Sequence, residues 1–314
     1  MTKPVVVVGS LNLDLVVRPE RAPAAGETVF APTLERYPGG KGGNQAVAAA
    51  RLGVPVSMIA RVGNDSFGDE LLASLQQNGV STEAVTRSET AGTGTAVITV
   101  DRTGQNRIVV VPGANSEVSP DLVYQYRDLI RSAAVLLLQL EVPVDACIWA
   151  ARIAHDAQVP VILDPAPAPS QPLPAELRKY TWLVTPNESE AESLTGVAVA
   201  GKKGAPLAAR ALLEQGFQRA LIKLGGEGAF LLEQGAAEGI WVEPFSVKVV
   251  DTTAAGDAFA GGLAAALALG KDLPEALRWA AAAGALAVTR PGAQPSMGTL
   301  AELTALLETG GRDA

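Results

Sequence analysis

The stretch Val5-Val6-Val7-Val8-Gly9-Ser10-Leu11-Asn12-Leu13-Asp14 sets the reading of the fold. Its four consecutive valines have no polar side to turn toward water, so they read as a strand covered on both faces. The Gly9, Asn12 and Asp14 that follow mark where the strand emerges. The same order recurs along the chain. Apolar runs at 56–60, 135–138, 159–163, 182–184 and 220–224 alternate with helical patterns near 44–52, 67–78, 120–132, 144–157, 188–194 and 205–215. Helices near 256–269, 274–288 and 299–308 finish the chain. Their starts are marked by Ser119-Pro120, by Asp272 ahead of Pro274, and by a capping box from Thr299 to Glu302. This alternation predicts a mostly parallel sheet flanked by helices, an α/β fold. The Ala-rich stretch 280–287 predicts a closely packed buried helix.

Composition narrows the function classes. The chain has 314 residues, 48% of them apolar, enough for the core of one large domain spanning 1–314. No run of 18 apolar residues is present, so no membrane span is expected. Met1-Thr2-Lys3-Pro4 leads straight into the first strand and lacks a signal-peptide pattern. Cys147 is the single cysteine and permits no disulfide within the chain. A cytoplasmic location is expected. The net charge of −8, with scattered Lys and Arg, speaks against nucleic acid or an anionic membrane as partner. His155 lies on a charged amphipathic helix and reads as solvated. One His and one Cys give little support to Ser-His, Cys-His or zinc chemistry.

Two segments break the α/β rhythm. Residues 13–38 alternate loosely and contain Pro19, Pro23, Pro32 and Pro38; residues 95–111 read as a hairpin turning at Asp101-Arg102-Thr103-Gly104. Together they form a small β-layer inserted into the domain, read either as a lid or as an edge extension.

The residues after each strand are polar. Gly63, Asn64 and Asp65 follow the second run, Gln139 and Glu141 the third, Asn187, Glu188 and Glu190 the fifth, and Gly225, Gly226 and Gly228 the sixth. Open α/β sheets bind ligands outside the carboxyl ends of their strands, so a polar small-molecule site is expected there. Asn12 and Asp14 suit vicinal sugar hydroxyls, though a turn after a strand favours the same residues. Gly39-Gly40-Lys41-Gly42-Gly43-Asn44 precedes a helix but lacks P-loop spacing. Its glycines admit close backbone approach, and Asn44 offers a donor and an acceptor, whereas a surface turn needs the same glycines. Asn187 and Glu190 suit a Mg²⁺-associated role or, equally, helix capping.

Val250-Asp251-Thr252-Thr253-Ala254-Ala255-Gly256-Asp257-Ala258-Phe259 is a small-residue turn opening into a helix. Unpaired N–H groups at a helix start suit a phosphate. Asp257 would repel that phosphate unless it takes a proton from an attacking hydroxyl while the N–H groups hold developing charge. An acid favouring the helix dipole is the simpler reading.

These pieces combine into a resemblance. The chain resembles the phosphofructokinase-B-type carbohydrate kinases over essentially its whole length, and the ribokinase-like members in detail. Residues 39–44 look like the N-terminal signature and 251–259 like the C-terminal one. Gly9-Ser10-Leu11-Asn12-Leu13-Asp14, Gly26-Glu27-Thr28, Gly113-Ala114-Asn115, Gln139-Leu140-Glu141, Thr185-Pro186-Asn187-Glu188 and Thr289-Arg290-Pro291-Gly292-Ala293-Gln294-Pro295-Ser296 match in order.

The resemblance implies a three-layer ribokinase-like fold with an inserted β-sheet lid, and ATP-dependent phosphorylation of D-ribose at its 5-hydroxyl. It assigns Asn12, Asp14, Gly40, Lys41, Gly42, Gly43, Asn44 and Glu141 to the sugar, with Asp257 as base. Ala254, Ala255 and Gly256 form the anion hole. Asn187, Lys223, Leu224, Gly225, Gly226, Glu227 and Gly228 meet ATP, and Asn187 with Glu190 supports Mg²⁺. A monovalent cation, K⁺, falls to Asp251, Thr253, Ala287, Arg290, Gly292 and Ser296. The resemblance further implies a homodimer formed through the lid. Ala281 stands where these kinases often carry a polar residue near the adenine. Related kinases of deoxyribose, fructose or nucleosides would use the same chemistry, and a non-catalytic sugar or nucleotide sensor is the alternative of another class. A dehydrogenase lacks its GxGxxG after the first strand.

Overall fold

The computed structural model describes residues 2–169 and 171–310. Its strands, in chain order, are β1 (Val5–Val8), β2 (Asn12–Val17), β3 (Leu34–Gly39), β4 (Val56–Gly63), β5 (Val80–Ser88), β6 (Gly94–Val100), β7 (Asn106–Val111), β8 (Val135–Leu138), β9 (Val161–Leu163), β10 (Leu183–Val184), β11 (Arg219–Lys223), β12 (Ala229–Glu233) and β13 (Ile240–Val242). They form a large sheet ordered β13-β12-β11-β10-β9-β8-β1-β4-β5 and a small one ordered β3-β2-β6-β7. The large sheet is parallel from β5 to β11, while β12 and β13 pair antiparallel at one edge.

The four valines of β1 explain the layering. Val5 and Val7 enter the core with the helices Lys41–Arg51, Ser66–Gln77, Ala255–Ala268, Leu273–Ala287 and Leu300–Thr309. Val6 and Val8 enter a second core with Pro120–Gln125, Val144–Asp156 and Ala205–Glu214. The uninterrupted apolar run is the consequence of a strand with no solvent face. From β1 the chain winds one way to β4 and β5 and later the other way to β8, so the order reverses beside β1. The crevice outside the ends of β1 and β8 is where such a sheet binds ligands.

The inserted segments form the small sheet as expected. β2 pairs antiparallel with β3 and parallel with β6, and β6–β7 is the 95–111 hairpin. Other expectations need correction. The helix expected from residue 44 begins at Lys41, because Gly40 at φ 81° turns the chain ahead of it. The helix expected over 120–132 is two, Pro120–Gln125 and Arg127–Arg131, interrupted where the Tyr126 carbonyl takes the N–H groups of both Leu129 and Ile130. Strands β5, β12 and β13 and the helix Ala175–Tyr180 were not expected. Their sequences are mixed or short and carry weak periodicity. Asp65 also departs from the expected ligand site. Its carboxylate caps Ser66–Gln77 by accepting from Gly68 N and is bonded by the N–H and hydroxyl of Thr93.

Candidate active site

Small residues bring the two signature helices together. A Cβ on Gly261 would lie 2.5 Å from Ala48 Cβ and 2.8 Å from Gln45 O, so only glycine lets Ala255–Ala268 approach Lys41–Arg51 this closely. The Leu273–Ala287 helix packs on the other side, with Ala280, Ala282, Ala283 and Ala287 buried as the Ala-rich stretch predicts. This contact sets Asn44 and Gln45 against Asp257.

Asp257 is 5% exposed and sits in the first turn of Ala255–Ala268. Asn44 Nδ2 donates to its Oδ2 at 2.9 Å, and Gln45 Nε2 to its Oδ1 at 3.1 Å. Its acidity is pushed down, the pKa up to about 6, chiefly by burial and further by Asp164, against the opposing pull of Lys41, Asn44 and Gln45. The carboxylate is thereby poised near neutrality, as a base at physiological pH needs to be.

The turn ahead of it is strained. Ala254 lies at φ 57° and ψ 15°, a left-handed conformation that an alanine adopts at a cost of about 1 kcal/mol or more. The Ala255 N–H makes a long 3.3 Å bond to Thr252 O, and among the described residues no backbone carbonyl accepts from Gly256 N. Donors of this kind at a helix start face an anion readily.

β2 carries Asn12 and Asp14 at its start, just beyond the end of β1. Asp14 is pushed up to about 7 by burial first, then by Glu141 and Asp257. Asp14, Glu141 and Asp257 thus lie close enough for the charges of the latter two to act on Asp14. Glu141, following β8, accepts from Ser10 Oγ and from Lys41 N at 3.1 Å. Asn12 Oδ1 accepts from Asn115 Nδ2 at 2.8 Å, which fixes the asparagine's orientation. Asn44 Oδ1 is buried without a partner among the described residues, an acceptor left open. Burial opposes the charge of Lys41, but Asp257, Asp164, Glu141 and Glu190 outweigh it and hold the ammonium above its ordinary range. Gly42 and Gly43 lie inside the first turn of that helix, with Gly43 N bonded to Ser10 O.

The residues expected to meet the nucleotide lie beyond the ends of β10 and β11. Asn187 and Glu190 form a reciprocal capping box: Asn187 Oδ1 accepts from Glu190 N, and Glu190 Oε2 from Asn187 N, both at 2.8 Å. The capping reading of this pair is observed, and the buried Glu190 lies near enough to Lys41 for its charge to act on the ammonium. Lys223 ends β11, bridges to Asn187, and pairs with Asp164 at 2.8 Å. Leu224 is buried, and Gly225–Glu227 form a 3₁₀ turn closed by Gly228. Glu227 is partly engaged elsewhere, accepting from Lys202 N.

The loops expected to hold a monovalent cation are joined. Asp251 accepts from Thr253 N and Thr253 Oγ1, and from Gly292 N at 2.9 Å. Burial works against its charge, but these bonds and Arg18 keep its pKa low. Val288 O receives the N–H groups of Val250 and Asp251. Ala287 is buried just before, Ser296 Oγ bonds Ala293 O, and the Arg290 side chain turns away to Glu302. Backbone carbonyls and the Asp251 carboxylate are oxygen donors, the donor type a hard cation takes. At Asn187 and Glu190 the cap uses one oxygen of each side chain, which fits association with Mg²⁺ through its waters better than direct ligation.

Two buried residues, Gln45 and Asp164, escaped the sequence reading; they join each other and, through Gln45, Gln139, which follows the third apolar run. Gln139 Nε2 donates to Gln45 Oε1 at 2.6 Å, and Gln45 Nε2 reaches both Asp257 and Asp164. Asp164 follows β9 directly, and that position after a strand was the available signal. His155 is exposed, as expected, and stacks near Tyr180.

Comparison with known proteins places this geometry. The pfkB family carbohydrate kinase model matches residues 2–300. Ribokinase of Haemophilus influenzae is 41% identical, covering 98% of this chain and 99% of its own. Ribokinase of Bacillus subtilis is 39% identical, with 96% and 98% covered. The structure of Arabidopsis thaliana ribokinase complexed with ribose and ATP superposes with a TM-score of 0.92 at 37% identity, covering 98% of this chain and 99% of that one.

Proposed function

Because the chain belongs to the pfkB family of carbohydrate kinases, we propose that it transfers the γ-phosphoryl group of ATP to the 5-hydroxyl of D-ribose, giving ribose 5-phosphate and ADP. The observation that carries this reading is the buried Asp257 at a helix start, between the sugar-side carboxylates and open N–H donors.

In this reading Asn12, Asp14, Glu141 and the Gly40–Asn44 segment, with Lys41, Gly42 and Gly43, hold the sugar. Carboxylates accept from its hydroxyls, and Asn44 offers its open oxygen. The 5-hydroxyl faces Asp257, which takes its proton as the oxygen attacks phosphorus in line and the bond to ADP breaks. The N–H groups of Ala254, Ala255 and Gly256 receive the equatorial oxygens; the Ala255 N–H exchanges its long bond to Thr252 for the stronger charged acceptor. Catalysis is chiefly positioning and preorganised charge. Asn187 and Lys223 to Gly228 hold ATP. Mg²⁺ beside Asn187 and Glu190 would offset phosphate charge, and K⁺ among Asp251, Thr253, Ala287, Arg290, Gly292 and Ser296 would steady the strained loop. The small sheet, which carries Asn12 and Asp14 on β2, closes over the sugar and excludes water.

A homodimer through that sheet belongs to the same reading. Leu34, Val97, Ile108, Val109, Val110 and Val111 are all exposed apolar residues of the small sheet, a surface suited to a partner's matching one. The cytoplasm, where ATP is kept, is the compartment proposed. Among the described residues no helix is long and apolar enough to cross a membrane.

The test is an ADP-release assay with pentoses, hexoses and nucleosides, with and without K⁺. Ribose should give the highest kcat/KM and respond to K⁺. A hexose or nucleoside exceeding ribose would overturn the substrate assignment.

A further inference from the structure

One buried ion pair at the crevice has a side-chain chemistry that its place in the ATP loop does not use. Lys223 Nζ lies 2.8 Å from Asp164 Oδ1, with side chains only 12% and 2% exposed. A buried pair is weak evidence for stability, since apolar residues in its place are often as stabilising or more so. Its position suggests another use. A methyl placed on Gly256 would come within 3.3 Å of Lys223 Nζ, so the ammonium stands beside the first turn of Ala255–Ala268, where Gly256 N has no backbone acceptor among the described residues. An oxygen received by Gly256 N, about 2.9 Å from that nitrogen, falls within the ammonium's reach.

We propose that Lys223 is a catalytic cation that contacts the migrating phosphoryl group, and that Asp164 and Gln45 are positioning residues that register this cation with the base. The inference rests on the kinase reading above and deepens it, because resemblance assigned Lys223 to ATP only as part of a strand-end loop. Asp164 grips Lys223 with one oxygen and Gln45 with the other; Gln45 then grips Asp257. The amide of Gln45 is held in one orientation by Gln139, whose Nε2 requires an oxygen opposite it. One carboxylate thus fixes both ends of the transfer, the proton acceptor and the phosphoryl cation. During the step the sugar hydroxyl gives its proton to Asp257, the new O–P bond forms, and the bond to the ADP oxygen breaks. Lys223 keeps its protons throughout and only follows the charge. Removing it should cost on the order of 10²-fold in kcat, the scale seen for one preorganised donor, while ground-state binding changes little.

Lys223→Met alone strands Asp164, so the decisive variant is Lys223→Met with Asp164→Asn, which removes both charges and spares the fold. Wild type, this double variant and Lys223→Arg are compared for kcat, ribose KM, ADP affinity by calorimetry, and affinity for ADP with aluminium fluoride and ribose. The proposal expects the double variant to melt near the wild type and to bind ADP within about threefold, yet to lose on the order of 10²-fold in kcat and at least about tenfold in affinity for the fluoride complex. Lys223→Arg should recover at least about tenfold of kcat, since it keeps a cation at the site. A folded double variant with near-normal kcat would reduce the pair to a structural contact and overturn the proposal. Equal losses of ADP and fluoride-complex affinity would assign Lys223 to nucleotide binding alone and overturn it equally. Failure of wild type to phosphorylate ribose would instead strike the kinase reading beneath it.

Discussion

Replacing Asp257 by Asn should make the protein inactive and more stable at once. Burial carries the carboxyl from an ordinary 3.8 to about 6. At about 1.4 kcal/mol per pH unit, the ionised group therefore costs the fold about 3 kcal/mol. The sign follows from proton binding. Between pH 3.8 and 6 the unfolded chain has lost this proton while the folded chain retains it, so stability falls as pH rises through that window and stays lower above it. Asn carries no such penalty. Its new NH₂ would meet the donor Nδ2 of Asn44, but Asn44 Oδ1 has no partner, so that amide can flip and turn an oxygen toward it. For 314 residues, about 2.1 cal/mol/K each at the transition gives about 0.7 kcal/mol/K. The expected rise in Tm is then about 4 °C at pH 8, shrinking toward zero near pH 4. Turnover with ribose should fall on the order of 10²–10⁴-fold, the range for loss of a general base. Scanning calorimetry at pH 8 and pH 4, with ADP release on the same samples, tests both halves. Near-normal turnover would remove Asp257 as base. An unchanged or lower Tm at pH 8 would show that the burial argument fails.

Other consequences follow from the same contacts. Asp14→Ala should weaken ribose binding by at least about tenfold, a lost charge-assisted bond, with ATP affinity nearly intact; calorimetry with each ligand separates the two, and equal losses would contradict the divided site. Gly261→Val should force the signature helices apart, costing about 1–3 kcal/mol and lowering kcat by moving Asn44 and Gln45 off Asp257. A variant of normal activity would mean the close approach is incidental. Val109→Asp, on the exposed strand β7, should weaken self-association by on the order of 30-fold or more in Kd. Sedimentation that reports the same oligomeric state at all concentrations for wild type and variant would exclude this surface.

The sheet was legible because its central strands are buried on both faces. Four valines in β1 cannot be read as half-wet, and polar residues follow β1, β8 and β10 where those strands end. The edge was not legible. β5, Val-Ser-Thr-Glu-Ala-Val-Thr-Arg-Ser, mixes polar and apolar residues, and β12–β13 turns back antiparallel where the pattern suggested no strand. The start of the Lys41–Arg51 helix was hidden because glycines usually argue against a helix, yet here they serve close packing. The Gln45 contacts were out of reach for a different reason. Gln45 and Asp257 are 212 positions apart and meet only because Gly261 and Ala48 let two helices touch. At Asn187 the capping reading weighed from sequence is the one the backbone displays, because both partners of the capping box lie at the start of one helix.

The central claim is that a carboxylate must be ionised to accept the sugar proton. It is tested most directly by the pH dependence of kcat/KM for ribose at saturating ATP and Mg²⁺ between pH 5 and 8.5. With Asp257 pushed up to about 6 and Asp14 to about 7, both carboxyls take up protons within this range. The rate should be level above pH 7.5, fall as pH drops below 7, and fall more steeply below 6. A profile flat from pH 8 down to 5 would contradict the account.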